Sequence, residues 1–321
     1  DNVRSDSGGL QMARGMTNLI HPVELADFYE KNVDAGMCLD LPMRAPNMDV
    51  VKRAARLQRH NNELMLKTMK RSELINIFHG SSMEERSVFR SIVEMDDIQR
   101  AAIGGLSRQL PLTGVNTVMS LTNTGRRYKH YHILGVFQTE YMPLLVKLAN
   151  SGWKPHITSD STSHVQGAIN GSYFYQKDCY HAMQRLPIGT NYMKHRSAFR
   201  HLPCHCRICR NIKYMDVMAF MPNRFFGFFA THNAFAMSAY TEQLQDAVRH
   251  ETKAEFCKIV TAQLQRNPLL REVRYAMDFI DQANDTSIER ARKVFAKHVG
   301  NWKALKEVPK GLFGDQEARV S

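Results

Sequence analysis

The stretch Leu74-Ile75-Asn76-Ile77-Phe78-His79-Gly80 sets the pattern for the whole chain. A short apolar run ends in a polar tip and a glycine, and a helical stretch follows. Four further runs repeat the theme: Ala35-Gly36-Met37-Cys38-Leu39-Asp40, Ala101-Ala102-Ile103-Gly104-Gly105-Leu106, Tyr131-His132-Ile133-Leu134-Gly135-Val136 and Pro155-His156-Ile157-Thr158-Ser159-Asp160. The opening Val3-Arg4-Ser5-Asp6-Ser7-Gly8-Gly9 reads as the end of a sixth. Between the runs lie amphipathic stretches at Pro22 to Asn32, Asp49 to Met69, Met83 to Val93 and Thr139 to Ala149. Strands alternating with helices predict parallel β/α units. In a β/α barrel, chemistry sits on the loops after the C-terminal ends of the strands. Asp6, Asp40, His79, Gly105, Gly135 and Asp160 all occupy that place.

The bulk properties narrow the partners. With 321 residues the chain is long enough for a sizeable core, and 43% hydrophobic with 23% charged residues is a globular rather than a disordered composition. No run of eighteen apolar residues occurs, which excludes a membrane-spanning helix and a membrane partner of that kind. A net charge of +12 points to an anionic partner, nucleic acid above all.

Three of the six cysteines fall within six residues, as Cys204-His205-Cys206-Arg207-Ile208-Cys209. Such spacing lets short loops turn several sulfurs toward one ion, and His232 downstream supplies a fourth donor. The set Cys204, Cys206, Cys209 and His232 predicts one closed, structural zinc site. Isolated Cys38, Cys179 and Cys257 read as small buried hydrophobes. Reduced thiols without a visible secretion signal imply the cytoplasm. Arg207 and Arg210 flank the cysteines, and Arg126-Arg127-Tyr128-Lys129-His130 is a second compact basic run; both are candidate phosphate contacts. Beyond position 233 the pattern is helical again, over Ala234 to Gln265, Leu269 to Ala283 and Ser287 to Val299.

Several of these pieces, taken in order, resemble the tRNA-guanine transglycosylase superfamily. Ser5-Asp6-Ser7-Gly8-Gly9-Leu10-Gln11 is similar to its Asp-Ser-Gly-Gly-aromatic-Gln motif. Ile103-Gly104-Gly105-Leu106 resembles its Gly-Gly-Leu loop, Leu134-Gly135-Val136 its Met-Gly-Val segment, and the Cys204 to Cys209 run with His232-Asn233 its zinc motif. The likeness extends over roughly residues 1 to 250.

That resemblance implies a TIM-type (β/α)8 barrel with an inserted zinc subdomain. Residues 1–166 would form the catalytic barrel, 167–235 the zinc subdomain and 236–321 the C-terminal helices. Six strands are countable here, so the first two would precede Asp1. The resemblance further implies exchange of a guanine in nucleic acid for a 7-deazaguanine. Asp160 matches the nucleophile that holds C1′ as a covalent intermediate. Asp6 matches the carboxylate that moves the proton of the departing and arriving bases. Asp40 would accept from guanine N1–H and the exocyclic amine, both donors. Gly105 N–H would bind O6, and Leu106, Leu134 and Gly135 would line the base pocket.

The chain also departs from the tRNA enzymes. His79 stands where they have Gln, Leu10 where they have the stacking aromatic, and Ser161-Thr162-Ser163 where Pro-Thr-Arg follows the nucleophile. Such departures resemble the DNA-modifying branch found in phages and in bacterial DNA-modification clusters. DNA is therefore the favoured substrate and tRNA the alternative, with a 7-deazaguanine base as co-substrate. A homodimer is a compatible assembly, and a non-catalytic nucleic-acid-binding subunit is the reading from another class.

Overall fold

The computed structural model describes residues 4–6, 20–39, 47–80, 82–106, 109–123, 128–151, 156–187, 204, 206–211 and 222–285. Six strands, β1 (Arg4–Ser5), β2 (Ala35–Met37), β3 (Glu73–Phe78), β4 (Arg100–Ile103), β5 (His130–Ile133) and β6 (His156–Ser159), form one sheet in sequential order. Every neighbouring pair is parallel. The crossovers are helices α1 (Pro22–Asn32), α2 (Met48–Thr68), α3 (Met83–Val93), α4 (Pro111–Asn123) and α5 (Met142–Ala149). Among the described residues, β1 and β6 each pair with a single neighbour. The sheet is thus a mixed α/β layer; closure into an eight-stranded barrel is not displayed by these residues.

The ladder decides which side chains meet the helices. Successive strand residues point to opposite faces. On β3, Asn76 and Phe78 face the helices. The Asn76 Oδ1 accepts from Gln58 Nε2 at 2.9 Å and Asn62 Nδ2 at 3.1 Å, both on α2, and its Nδ2 donates to Val93 O on α3 at 2.7 Å. Gln58 and Asn62 sit in the same buried stripe of α2 as Val51, Ala55 and Met65, at alternating spacings of four and three. Tyr131 on β5 donates its hydroxyl to Leu121 O of α4 at 3.2 Å. The other face carries Ile75, Ile77, Ala102, His130 and His132, in register across β3 to β5.

Past β6, α6 (Ser163–Ile169) leads into a separate antiparallel hairpin, β7 (Ser172–Tyr175) with β8 (Gln184–Pro187). Helix α7 (Pro222–His250) then runs back to the sheet, followed by α8 (Lys253–Gln263) and α9 (Leu270–Asp285). Helix α7 crosses position 235 without a break, so His232 of the cysteine cluster and Tyr240 and Leu244 of the main core share one element. The single helix expected over Ala234 to Gln265 is two, because Thr252 leaves the helix and caps α8, its side chain accepting from Glu255 N–H at 3.1 Å. The expected helix at Ser287 to Val299 lies outside the described residues.

Helix α4 has no counterpart among the amphipathic stretches of the sequence. With Gly114 and several β-branched residues its intrinsic helicity is low; burial of Leu112, Val115, Val118 and Met119 holds it. Glu272 on α9 is buried and its carboxylate accepts from the Leu112 N–H at 2.9 Å, in the first turn of α4. Burial pushes its pKa up to about 7, the Leu112 N–H opposing.

Two expectations follow. Asn76→Leu leaves Asn62 Nδ2 and Val93 O without their buried partner and is expected to cost about 2–4 kcal/mol in urea denaturation. For Glu272 the folded pKa lies above the unfolded value of 4.5, so the native state holds its proton more tightly and stability falls as pH rises from 4.5 to about 7. Glu272→Gln should therefore match the parent near pH 4.5 and exceed it at pH 8 by on the order of 2 kcal/mol, measured as the pH dependence of the unfolding midpoint.

Candidate functional site

Sequential parallel order brings the C-terminal ends of the strands to one edge of the sheet. Asp6 follows β1 there and is exposed. His79 follows β3, Gly104-Gly105 follows β4, Leu134-Gly135 follows β5 and Asp160 follows β6. The middle of this row is tightly packed. A Cβ on Gly104 would come within 3.0 Å of the His79 ring and 3.9 Å of Leu134 Cδ1, so these three positions adjoin. Gly105 has φ +74°, the left-handed region that favours glycine. Leu106 is fully buried in the main core, while Leu134 is only partly buried at its margin. Asp40, Arg126 and Arg127 lie outside the described residues.

Asp160 is fixed from one side. Its Oδ1 accepts from Gly135 N–H at 2.7 Å, and His132 Nε2 lies 3.3 Å from the same oxygen. Gly135 reaches this position with φ +69°. Partial burial works to raise the Asp160 pKa, but the His132 contact and the Gly135 N–H outweigh it, and the carboxyl titrates below its ordinary 3.8. The side chain remains 53% exposed, so a ligand can reach it. Asp160 is not the cap of the following helix: Ser161 Oγ takes the Ser163 N–H at 3.0 Å instead. A cavity of about 390 Å³ runs along the edge of β6 beside Asp160, walled by Leu145 on α5, His156 and Thr158 on β6, and Met237 and Thr241 on α7.

Beneath the Gly104-Gly105 loop sits Arg86 of α3, fully buried. Its Nη2 donates to Gly104 O at 3.2 Å, and burial pulls the guanidinium down to about 10. Arg86 belongs to no motif that the sequence displays, and His130, His132 and Thr158 stand in strand runs that give them no site role; only the fold brings the four to this edge.

The cysteine cluster assembles as its spacing predicts. The ligand atoms of Cys204, Cys206, Cys209 and His232 lie within 4.8 Å of one another and can hold a metal ion. Cys206 Sγ and Cys209 Sγ are 3.5 and 3.3 Å from His232 Nδ1. Tetrahedral bonds of zinc length would place sulfur and nitrogen about 3.5 Å apart. The imidazole is already oriented as a metal donor. Its Nε2–H donates to Phe174 O at 2.8 Å, so Nδ1 offers its lone pair to the thiols. The Cys206 and Cys209 N–H groups each point at an earlier sulfur, Cys204 and Cys206, at 3.4 Å. Hydrogen bonding with Cys209 holds the Cys204 thiol well below its ordinary range, burial opposing and His232 assisting. Tyr173 stacks on His232 at 3.9 Å and brings its hydroxyl to 3.2 Å from Cys209 Sγ. This donor set and geometry fit one structural Zn²⁺. Arg207 and Arg210 flank it on the exposed side.

Asn233, next to the ligand His232, ties the cluster to the Asp160 region. Its Oδ1 accepts from Phe174 N–H at 2.9 Å, and its Nδ2 donates to Ser172 O at 2.9 Å and His164 O at 3.2 Å. Zinc titration followed by metal analysis is expected to give one ion per chain, and Cys209→Ser to weaken binding more than tenfold. Chelation should lower the melting temperature of the parent but not of Cys209→Ser. No protein-family model matches the chain, and no curated protein sequence does either.

Proposed function

We propose that this chain exchanges guanine in DNA for a 7-deazaguanine, such as the 7-cyano form, through a covalent aspartyl-glycosyl intermediate. The observation that carries this reading is Asp160: an ionised, half-exposed carboxylate at the end of a parallel strand, with Oδ1 occupied and Oδ2 without a hydrogen-bond partner among the described residues. A nucleophile needs one oxygen held and the other free.

In the first step an Oδ2 electron pair forms a bond to C1′, the C1′–N9 bond breaks, and its electrons leave with the guanine. The departing base takes a proton from a second carboxyl group, assigned to Asp6, which enters this step in its acid form and leaves it as the carboxylate. In the second step N9 of the incoming base attacks C1′, the O–C1′ bond returns its electrons to Asp160, and the N9 proton passes to Asp6. The backbone is never cut. Gly105, His79, Leu134 and Gly135, which share the strand-end row, are assigned to the base, with Asp40 on its Watson–Crick edge. Sequential strand order and helices packed on the face of Asn76, Phe78 and Tyr131 support a β/α barrel wall. The zinc cluster stiffens the segment that carries exposed Arg207 and Arg210, which with Arg126 and Arg127 are assigned to phosphate. Extracting the target base from its stack costs a few kcal/mol, which contacts of this kind offset.

The test is incorporation of labelled guanine and labelled 7-cyano-7-deazaguanine into duplex DNA and into unmodified tRNA, in parallel. Label in DNA with the parent, its loss in Asp160→Asn by at least about a thousandfold, and a denaturation-resistant DNA–protein adduct in the parent alone are expected. Label in tRNA alone would move the substrate to RNA. Binding of either nucleic acid without label from either base would reduce the chain to a non-catalytic binding subunit.

A further inference from the structure

His132 does more than adjoin Asp160. It is buried on β5, and its Nε2, shielded from solvent and without a well-aligned hydrogen bond among the described residues, lies 3.3 Å from Asp160 Oδ1 at ion-pair distance. Its other nitrogen, Nδ1, is 2.8 Å from Thr158 Oγ1, and the same hydroxyl is 2.7 Å from His130 Nε2. Parallel register makes this possible, since His132 is aligned with Thr158 across β5 and β6. A carboxylate only accepts, so Nε2 of His132 carries the hydrogen that faces Asp160. Neutral His132 then has a bare Nδ1, which the Thr158 hydroxyl fills; the Thr158 oxygen in turn accepts from His130 Nε2–H. In this tautomer His130 donates to Thr158 and Thr158 to His132, which turns the Nε2–H side of His132 toward Asp160 Oδ1, 3.3 Å away.

We propose that His132, oriented by Thr158 and His130, is the positioning residue of Asp160: it keeps Oδ1 engaged and the carboxylate ionised, and so presents Oδ2 as the attacking oxygen. The consequence for turnover rests on the base-exchange reading; the His132–Asp160 pairing does not. The charged and titratable surroundings are few among the described residues. His130 lies on β5 itself, and exposed His156 on β6 stacks against it at 5.5 Å. On β4, Ala102 stands opposite His132, and Arg100, two residues back, pairs with Glu73 of β3. The α7 wall contributes uncharged Met237, Ser238, Thr241 and Gln245.

The experiment follows the Asp160 carboxyl directly, by carbon NMR of aspartate-labelled protein, with the signal identified by its loss in Asp160→Asn. Exchange kinetics are run across pH on the same proteins. In His132→Ala the Asp160 midpoint should rise by roughly one pH unit. The acid limb of the kcat profile should rise with it, and kcat should fall about tenfold with KM little changed. His132→Gln, whose amide N–H can still reach Oδ1, should recover most of both effects. Thr158→Val, which removes only the hydroxyl, should move the midpoint the same way by less. An unmoved Asp160 midpoint in folded His132→Ala overturns the proposal. Should that variant not fold, an unmoved midpoint in both His132→Gln and Thr158→Val overturns it equally. A midpoint that moves as expected in a parent that exchanges no base supports the pairing and removes the base-exchange reading instead.

Discussion

Parallel register between β5 and β6 is the constraint on which the Asp160 site depends. It aligns His132 with Thr158, and just past the strand ends, two residues beyond Thr158, it delivers Gly135 N–H and Asp160 Oδ1 to 2.7 Å of each other. A slip of one residue would turn every side chain of β6 to the other face. It would remove Thr158 from both histidines and leave Asp160 without its two contacts. The helix side of the sheet guards against such a slip. Tyr131, on the helix-facing alternation of β5, is anchored to the Leu121 carbonyl, and Asn76 locks β3 to two helices at once.

The metal cluster extends this order beyond the sheet. Helix α6 begins three residues after Asp160 and ends beside β7, whose backbone is gripped by His232 and Asn233 of α7. The two adjacent side chains act on the same strand, one as a metal donor oriented by Phe174 O, the other as a clamp on Phe174 N and Ser172 O. Because α7 continues to Tyr240, which packs in the main core and donates to Gln263 at 3.1 Å, the cluster and the sheet are braced by one rigid rod. A structural ion there would stabilise the position of Asp160 from outside the sheet.

What could be read from the sequence was what is local. The strand runs, helices such as Pro22–Asn32 and Met83–Val93, and the Cys204, Cys206, Cys209 and His232 set are each written in short-range periodicity or spacing, and each stands where it was expected. Helix α4 escaped because tertiary burial, not propensity, holds it. The His130–Thr158–His132 chain escaped for a different reason: its members are 26 and 28 positions apart and meet only through register. Arg86 was invisible in the same way, an ordinary helix residue until the Gly104-Gly105 loop closes over it. Closure of the sheet into a barrel is a property of strands meeting across the whole molecule, which no local run encodes.

The sheet face opposite the helices changes character from β3 to β6. On β3 and β4 that face carries Ile75, Ile77 and Ala102, each fully buried and apolar, with Arg100 at the start of β4 in the row of Ile75. On β5 and β6 the same rows change to His130, His132 and Thr158. Nothing in the ladder requires the change, since apolar residues continue the face two strands away, and burying imidazole and hydroxyl groups costs stability unless each finds a partner. Here the two imidazoles share the Thr158 hydroxyl, and His132 faces the Asp160 carboxylate at 3.3 Å. Local departures from the folding pattern concentrate where a protein acts, and in this chain the departure points at Asp160.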